Sequence, residues 1–297
     1  MPGKFAKVRL AKSIDEIEWG NNLAKKAPQF IQNWYIEKYM PMSIEEISIL
    51  DALGFEIILS RLDEDFILKL EEEAKALGVR AIFTEDNIIL PRGFFVPGGV
   101  FAKAFLLNHL IDRILRATKK EPARLSVIII EGEVSFTKAV LRSLYPRLNH
   151  LGLILENGCE QDYNELAFEI FNDCGLNISF GERGSYLLKE ADIIVNLSDK
   201  EKGYESFYKK NACYIELSGE RSKINNIKLK RSDILTIDKF NIEYEGEILP
   251  IEQFELFMYL EIGAFYNFVN GRNREEKFRQ IKNWIEASNI KLRNLNF

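Results

Sequence analysis

The turn formed by Glu131, Gly132 and Glu133 has the position of a phosphate-binding site, because it joins a short apolar strand to a helix. Backbone N–H groups at a helix start bind anions, and a dinucleotide-binding turn places the pyrophosphate there. Such a turn usually has three glycines. This one has a single glycine, and each carboxylate would repel a phosphate by about 1 kcal/mol even in watery surroundings. The match to the glycine motif is therefore incomplete, and it predicts cofactor contacts from Gly132, Val134 and Ser135.

Three more polar residues follow predicted strands and suit a nicotinamide dinucleotide. Glu156 ends the second predicted strand. In dinucleotide-binding folds an acid ~20 residues beyond the turn hydrogen-bonds the adenosine ribose, and Glu156 lies close to that position. This favours NAD over NADP, although Glu156 also suits an ordinary strand end beside the turn Asn157–Gly158. Asn196 and Ser198 follow the fourth strand and are the predicted contacts near a nicotinamide ring. The cofactor expected from these residues is NAD or NADP.

A second glycine-rich stretch precedes a long predicted helix. Gly98 and Gly99 lie just before this helix, and Lys103 lies one turn inside it. Because helix starts bind anions, these three residues predict a pocket for a substrate phosphate or carboxylate. The same stretch also fits a plain connector, in which Pro97 and the two glycines turn the chain into the helix. Both interpretations stay open.

The composition excludes several classes of protein. The 297 residues carry 40 basic and 45 acidic side chains, and the net charge of −5 argues against nucleic-acid binding by bulk charge. Three cysteines and two histidines exclude a disulfide framework, a thiolate zinc site and a multi-histidine metal centre, and Cys174 and Cys213 are typical of core residues. The chain begins without a signal-peptide pattern, and no apolar run approaches the ~20 residues of a membrane span. We expect a cytoplasmic protein that binds a small molecule and has no metal, nucleic-acid or membrane partner.

The fold is predicted by short strands that alternate with helices from residue 125 onward. The strands are short and apolar, and the first, at residues 125–130, is a continuous run rich in β-branched residues, which is typical of a strand buried on both faces of a parallel sheet. Strand–helix–strand units of this kind form right-handed crossovers. The sequence therefore predicts an α/β protein with a doubly wound, mostly parallel, Rossmann-like sheet. The predicted strands are residues 125–130, 151–155, 176–180, 193–196, 212–217 and 234–237, and the helices are residues 134–145, 163–174 and 186–190.

Three regions are expected along the chain. Residues 1–117 form a smaller α/β domain with a connecting helix at 100–117, and the charged link 118–122 separates it from a Rossmann-like domain at 123–245. Residues 250–297 form C-terminal helices that pack back on the first domain. These helices are predicted at residues 251–269 and 277–287.

Within the smaller domain, Ser43 and Glu46 have the spacing of a capping box. This predicts a helix that opens at Ser43 and ends near Gly54. The remaining predicted elements are a strand at residues 55–59, a helix at 63–77, and strands at 79–83 and 87–90.

Aromatic residues near the C-terminus predict packing surfaces. An aromatic stripe with near-helical spacing suits the core or a dimer seam better than a ligand site. Trp284 and Phe297 suggest an exposed interface, so a homodimer is one expectation. The stripe consists of Phe254, Phe257, Phe265 and Phe268.

Residues 125–196 resemble the nucleotide domain of the shikimate dehydrogenase and glutamyl-tRNA reductase group. The resemblance is carried by the strand–turn–helix at residues 128–144, the acid Glu156, and the run at 191–196 that leads into the fourth strand. In that group a small α/β domain carries the substrate site, and C-terminal helices return across it. The resemblance implies NAD(P)-linked hydride transfer in a cleft between two domains. No residue matches the catalytic lysine–aspartate pair or the nucleophilic cysteine of the group.

Two functions are favoured by particular residues, and a third, an enzyme that uses a different nucleotide or a nucleotide-free substrate, stays open because a fold does not fix a function. One is a dehydrogenase-like, NAD(P)-dependent oxidoreductase that acts on a small polar metabolite, which is favoured by the strand pattern and by Glu156. The alternative is a non-catalytic binding or interaction protein on a degenerate Rossmann scaffold. It is favoured by Glu131 and Glu133, which place two carboxylates where a phosphate would lie.

Overall fold

A computed structural model describes the chain at residues 3–12, 16, 25–39, 41–84, 88–121, 124–156, 159–182, 185–200 and 203–295. The chain forms two compact units. Unit 1 consists of Met1–Pro97 and Leu256–Gly263, and unit 2 consists of Gly98–Glu255 and Ala264–Phe297. The helical segment before the charged link at 118–122 thus belongs to unit 2, although the sequence suggested a boundary at that link.

Unit 1 is the smaller α/β unit that the sequence predicts. Its sheet has the order β2-β3-β1-β4, in which β1 runs parallel to both β3 and β4, and β2 runs antiparallel to β3. The core contains side chains from both the sheet and the helix α2. The elements are β1 (Lys4–Leu10), α1 (Gln29–Tyr39), β2 (Met42–Ile49), β3 (Ala52–Leu59), α2 (Glu64–Ala76) and β4 (Val79–Thr84).

The predicted helix that opens at Ser43 is wrong, because these residues form strand β2. This strand pairs with β3 along its whole length. The two strands are joined by a two-residue turn in which Leu50 has a φ of 52°. Local Ser-x-x-Glu spacing satisfies the rule for a helix start, but the long antiparallel pairing with β3 overrides that local preference.

The other predictions for unit 1 have mixed outcomes. The helix predicted at residues 63–77 is confirmed as α2, and Asp63 caps it by accepting a hydrogen bond from Phe66 N–H at 3.1 Å. The strand predicted at residues 87–90 does not form over Ile88–Leu90, and residue 87 lies outside the described residues. Phe95 instead makes an isolated parallel bridge with Ala81 of β4.

Unit 2 contains the large sheet. It has six strands, all parallel, and most of their side chains are buried on both faces of the sheet. A separate antiparallel sheet of three strands has the order β12-β11-β13. The elements that begin in unit 2 are α3 (Val100–Phe105), α4 (Leu107–Thr118), β5 (Ser126–Ile130), α5 (Val134–Leu144), β6 (His150–Ile154), α6 (Glu160–Cys174), β7 (Ile178–Gly181), α7 (Tyr186–Glu190), β8 (Ile193–Asn196), β9 (Cys213–Glu216), α8 (Arg221–Lys230), β10 (Leu235–Ile237), β11 (Asn241–Tyr244), β12 (Glu247–Pro250), α9 (Ile251–Glu261), α11 (Arg274–Ala287) and β13 (Lys291–Arg293), and α10 is Gly263–Val269.

The strand order of the large sheet identifies the fold. Its order is β10-β9-β8-β5-β6-β7, so the chain starts in the middle, builds one half and then returns to build the other. In chain order this is the 3-2-1-4-5-6 arrangement of the doubly wound dinucleotide-binding fold. The protein has a Rossmann-type fold. The order reverses between β5 and β8, which places the switch point of the sheet at the turn that follows β5.

Two helices that the sequence predicted as continuous are each divided. Residues 100–117 form α3 and α4, which meet at Leu106. Residues 251–269 form α9 and α10, with Ile262 between them. At Leu106 the N–H group donates to the carbonyl oxygens of both Ala102 and Lys103, so the helix tightens locally.

Trp284 and Cys174 lie elsewhere than the sequence predicts. Trp284 is half-buried and stacks on Phe254, with 6.4 Å between ring centroids, and it also contacts Tyr244. Phe297 lies outside the described residues. Cys174 is exposed, so its prediction as a core residue is wrong, whereas Cys213 is buried as predicted. The homodimer stays a prediction.

Membrane and metal features can be stated for the part of the chain that the structure describes. There, no helix has the length and apolar character that crossing a membrane requires. Nor do three or more His, Cys, Asp or Glu side chains come together in these residues as a group that could hold a metal ion.

Candidate functional site

The first carboxylate of the switch-point turn is buried inside the protein. Glu131 is fully buried at the end of β5, and its carboxylate accepts hydrogen bonds from the Tyr163 hydroxyl at 2.5 Å and from Glu156 N–H at 2.7 Å. Burial and the bond to Glu131 raise the pKa of Tyr163, so the phenol remains a donor. Glu131 therefore joins the end of β5 to β6 and α6, and its carboxylate is enclosed by the protein.

Gly132 is required by close packing of the backbone. A Cβ atom at this position would lie 2.2 Å from the carbonyl oxygen of Leu197, which follows β8. The Gly132 N–H donates to Thr137 Oγ1 at 3.2 Å, and so turns toward its own helix. The segments after β5 and β8 thus lie too close together for a side chain at position 132. This packing explains the glycine without any reference to the dinucleotide-binding motif.

Glu133 occupies the anion-binding position at the start of α5. Its carboxylate accepts hydrogen bonds from Ser135 N–H and Phe136 N–H, both at 3.2 Å, and from Ser135 Oγ at 2.6 Å. Arg274 forms an ion pair with it and donates to Ser135 Oγ at 2.8 Å. Partial burial raises the pKa of Glu133, but the bonds from Ser135 and the charge of Arg274 outweigh this and hold the pKa below its ordinary value. The helix therefore carries an internal anion where a ligand phosphate would bind.

A cavity of about 440 Å³ opens beside this turn, and we call it the switch-point cavity. Its walls are mostly apolar, and its polar groups are Glu133, Asp199, Ser218 and Arg274. Among the predicted cofactor contacts, Gly132 lines the cavity, whereas Val134 and Ser135 do not belong to its lining. The apolar lining consists of Val100, Phe101, Phe136, Leu197 and Leu217.

Glu156 follows β6 as predicted. It is half-buried, and its backbone N–H donates to Glu131. The turn Asn157–Gly158 lies outside the described residues. The ribose contact of Glu156 stays a prediction, and its side chain does not line the switch-point cavity.

Asn196 and Ser198 are both buried, in a polar network at the ends of β8 and β9. Asn196 Nδ2 donates to the Glu216 carboxylate, at 2.9 Å to Oε2, and to the Ser198 carbonyl oxygen at 3.0 Å. Glu216 also accepts from Tyr214 hydroxyl at 2.6 Å and from Ser218 N–H at 2.6 Å. These contacts fix Asn196 at the ends of the two strands. The nicotinamide contacts of Asn196 and Ser198 stay predictions.

The glycine-rich stretch before α3 also surrounds an internal carboxylate. Glu255 is completely buried and accepts four backbone hydrogen bonds. Gly98 N–H and Gly99 N–H donate to Oε2 at 2.8 and 2.7 Å, and Phe101 N–H and Ala102 N–H donate to Oε1 at 2.7 and 3.1 Å. Burial raises the pKa of Glu255, and the four N–H groups offset part of that rise.

The predicted anion pocket at Gly98, Gly99 and Lys103 thus already contains an anion from this chain. Lys103 is buried inside α3. Gly99 has a φ of 77°, the left-handed conformation that glycine adopts without strain. An incoming phosphate or carboxylate would have to replace Glu255, so the geometry favours the connector interpretation.

Comparisons with known proteins add little to this geometry. No family model and no curated protein matches the chain. Among solved structures, it is similar to L-tryptophan dehydrogenase from Nostoc punctiforme, with 15% identity, coverage of 95% of this chain and 79% of that chain, and a TM-score of 0.39. It is also similar to shikimate 5-dehydrogenase from Listeria monocytogenes, with 7% identity, coverage of 94% and 96%, and a TM-score of 0.37. TM-scores this low carry no argument, so the fold is assigned from the strand order.

The sequence alone did not point to Glu255 and Arg274, the two residues that complete these helix starts. Along the sequence, Glu255 is more than 150 residues from the N–H groups that donate hydrogen bonds to it, and Arg274 is 141 residues from Glu133. No local pattern reveals partners at such separations. The capping role of Glu133 was accessible from the sequence, since a side-chain acceptor just before a helix bonds N–H groups two and three residues later.

Proposed function

We propose that this protein binds a small molecule in the switch-point cavity and holds no dinucleotide there. The observation that carries the proposal is the Glu133 carboxylate on the N–H groups of Ser135 and Phe136. A pyrophosphate in a Rossmann-type fold needs these donors at the start of the first helix. In this chain a phosphate would have to displace Glu133 and its ion pair with Arg274.

The cost of that displacement is substantial. A phosphate charge 4 Å from a retained Glu133 carboxylate would be disfavoured by about 1 kcal/mol in water and by about 4 kcal/mol at an effective dielectric constant of 20. Moving Glu133 away instead removes an N-terminal cap, which costs about 1 kcal/mol, together with the ion pair. Either route weakens dinucleotide binding by roughly fivefold or more, since 1.4 kcal/mol corresponds to a factor of ten and 1 kcal/mol to a factor of about five.

The shape and lining of the cavity favour a different ligand. Its volume of about 440 Å³ falls within the range of ~300–1,000 Å³ that is usual for small-molecule sites. Phe101 and Phe136 contribute flat apolar surface, and Ser218 and Arg274 contribute donors. We therefore infer a ligand with an apolar body and few polar groups, bound by a dehydrogenase-type scaffold.

A thermal-shift assay with NAD, NADH, NADP and NADPH tests the proposal. A ligand present at 100 times its dissociation constant stabilises a protein by ~2.7 kcal/mol, which raises the unfolding midpoint measurably. We expect no shift with any of the four. A shift with one of them in the unmodified protein would refute the proposal.

The variant Glu133→Ser examines the reason for that result. Serine is a preferred helix cap, so the variant keeps α5 capped while it removes the carboxylate. We expect Glu133→Ser to gain a nucleotide-dependent shift. Glu160→Ser is the matched control, because Glu160 is an exposed acid in the first turn of α6 and its loss changes the net charge equally. Equal responses of the two variants would reject the role of Glu133.

The second candidate is an NAD(P)-dependent oxidoreductase that acts on a small polar metabolite. It is favoured by Gly132, which borders the switch-point cavity at the position of the cofactor turn in this fold. In this candidate Glu133 turns away from α5 when the cofactor enters. A nucleotide-dependent shift in the unmodified protein, followed by substrate-dependent change in nicotinamide absorbance, would support it over the first.

A further inference from the structure

Arg274 carries the positive charge among the described residues that line the switch-point cavity. Its Nη1 atom donates to the Glu133 carboxylate and, at 2.8 Å, to Ser135 Oγ, and its Nε atom donates to the Phe268 carbonyl oxygen at 3.3 Å. The third nitrogen, Nη2, has no hydrogen-bond acceptor within the described part of the chain. Two of the five N–H groups of an arginine are on this atom, so the cavity lining contains donors that a ligand can use.

Glu133 balances the charge of the same guanidinium group. Its carboxylate pairs with Arg274 and is held in place by Ser135 and Phe136. A second carboxylate, that of Asp199, is exposed in the same lining. A ligand carboxylate at Nη2 would enter a cavity that already holds both carboxylates, and repulsion from them would offset its attraction to Arg274. A neutral oxygen accepts the same N–H groups without that repulsion.

The rings of Phe101 and Phe136 provide a flat apolar wall beside this guanidinium. Their centroids are 5.5 Å apart, and those of Phe101 and Phe136 lie 5.9 and 6.2 Å from the ring of Phe268. Phe268 is fully buried, and its ring lies 5.8 Å from the guanidinium carbon of Arg274. The donor is therefore held next to a fixed aromatic wall, against which a flat ring packs well.

We propose that the ligand of the switch-point cavity is an uncharged aromatic compound with a carbonyl or hydroxyl oxygen. Its ring packs against Phe101 and Phe136, and its oxygen accepts a hydrogen bond from Arg274. The inference rests on the proposed function, which places a small molecule in this cavity, and it adds the charge and the polar group of that molecule. The cavity volume of about 440 Å³ lies within the usual range of small-molecule sites, so a probe with two fused rings is suitable.

Three naphthalenes of similar shape separate the contributions of the ring, the oxygen and the charge. 2-Acetylnaphthalene carries a neutral carbonyl group, 2-ethylnaphthalene lacks the oxygen, and 2-naphthoate carries a carboxylate. Ligand-observed NMR titration of the full chain at low ionic strength gives their dissociation constants. We expect 2-acetylnaphthalene to bind about fivefold more tightly than either of the others, which is the effect of one net hydrogen bond or one like-charge contact in water. Equal or weaker binding of 2-acetylnaphthalene overturns the proposal, and so does absence of its binding.

The variant Glu133→Gln tests the charge balance. It removes the carboxylate and keeps Arg274, so 2-naphthoate should bind about fivefold more tightly than to the unmodified protein. Glu160→Gln is the control, because Glu160 is an exposed acid in the first turn of α6, and it should change the affinity for 2-naphthoate by less than twofold. Equal affinities of the two variants for 2-naphthoate overturn the proposal.

The variant Arg274→Met tests the donor. We expect it to bind 2-acetylnaphthalene and 2-ethylnaphthalene equally, because the donor is lost. Arg279→Met is the control, since Arg279 is exposed on the same helix, α11, outside the cavity lining, and it should still prefer 2-acetylnaphthalene. Comparison of two ligands on one folded variant keeps the result independent of its stability. If Arg274→Met retains the full preference for 2-acetylnaphthalene, the proposal is overturned.

The nucleotide thermal-shift assay separates this inference from the proposed function. A shift with one of the four nucleotides in the unmodified protein refutes the proposed function. No nucleotide shift, together with no preference for 2-acetylnaphthalene, overturns this inference alone.

Discussion

Replacement of Glu255 by glutamine is the sharpest test of how this chain uses its own carboxylates. Glu255 accepts four backbone hydrogen bonds, two on each carboxylate oxygen, from the segment that enters α3. Glutamine has the same shape, but only one of its two terminal atoms accepts hydrogen bonds. Its NH₂ group would face two backbone N–H groups that have no other acceptor in that position.

The magnitude follows from those two donors. A buried N–H group left without an acceptor costs about 1–3 kcal/mol, so the loss of two acceptors costs about 2–6 kcal/mol. Burial of the charged carboxylate is itself unfavourable, as the raised pKa of Glu255 indicates, and this offsets part of the loss. We therefore expect Glu255→Gln to lower the free energy of unfolding by about 3 kcal/mol. For domains of this size, that corresponds to a decrease of ~6–12 °C in Tm.

Urea unfolding followed by circular dichroism measures this free energy. Glu261→Gln is the control, because Glu261 lies exposed at the end of the same helix, α9, and its replacement should change the free energy by less than about 0.5 kcal/mol. If Glu255→Gln unfolds at the same urea concentration as this control, the four hydrogen bonds do not stabilise the fold and the reasoning fails.

Two further predictions concern unit 2. Burial raises the pKa of Asp192, but hydrogen bonds from two lysines outweigh this and bring the pKa below its ordinary value. The ionised carboxylate therefore stabilises the fold above the ordinary pKa of ~3.9, and this stabilisation is lost as the pH falls through the lower pKa of the folded state. We expect Asp192→Asn to cost about 2 kcal/mol at pH 7 in urea unfolding, with the difference from the unmodified protein vanishing at low pH, whereas the exposed Asp112→Asn should cost under about 1 kcal/mol. Gly132→Ala should destabilise the protein by more than about 3 kcal/mol, because the added Cβ would lie 2.2 Å from a backbone oxygen. The control Gly263→Ala should be close to neutral, because there is open space around Gly263. Equal Tm values for the two variants would contradict the packing role of Gly132.

The central sheet was predictable because the residue types within each strand indicate that the strand is buried. The runs that became β5 and β8 are continuously apolar, and both lie with almost every side chain buried on the two faces of a parallel sheet. β2 was missed because only about half of it is covered. Only Ser43 is buried, while Glu45, Glu46 and Ser48 are exposed, and the strand depends on pairing with β3 rather than on its own composition.

The position of the candidate site was predictable, but the side chains that bind the helix N–H groups there were not. Chain order and strand pattern placed the turn after β5 at the switch point, where Gly132 does border a cavity. What fills the helix start depends on Arg274, which is brought to Glu133 by the fold of a distant segment. The same holds for Glu255 at α3. Long-range contacts of this kind leave no periodicity in the sequence.

Glu133 also has a consequence for how this scaffold changes over generations. Both glutamate codons, GAA and GAG, become glycine codons by replacement of the middle base. A single mutation would therefore remove the internal carboxylate and place a glycine directly after Gly132. The two forms of this helix start, one with an internal carboxylate and one without it, are therefore a single nucleotide apart.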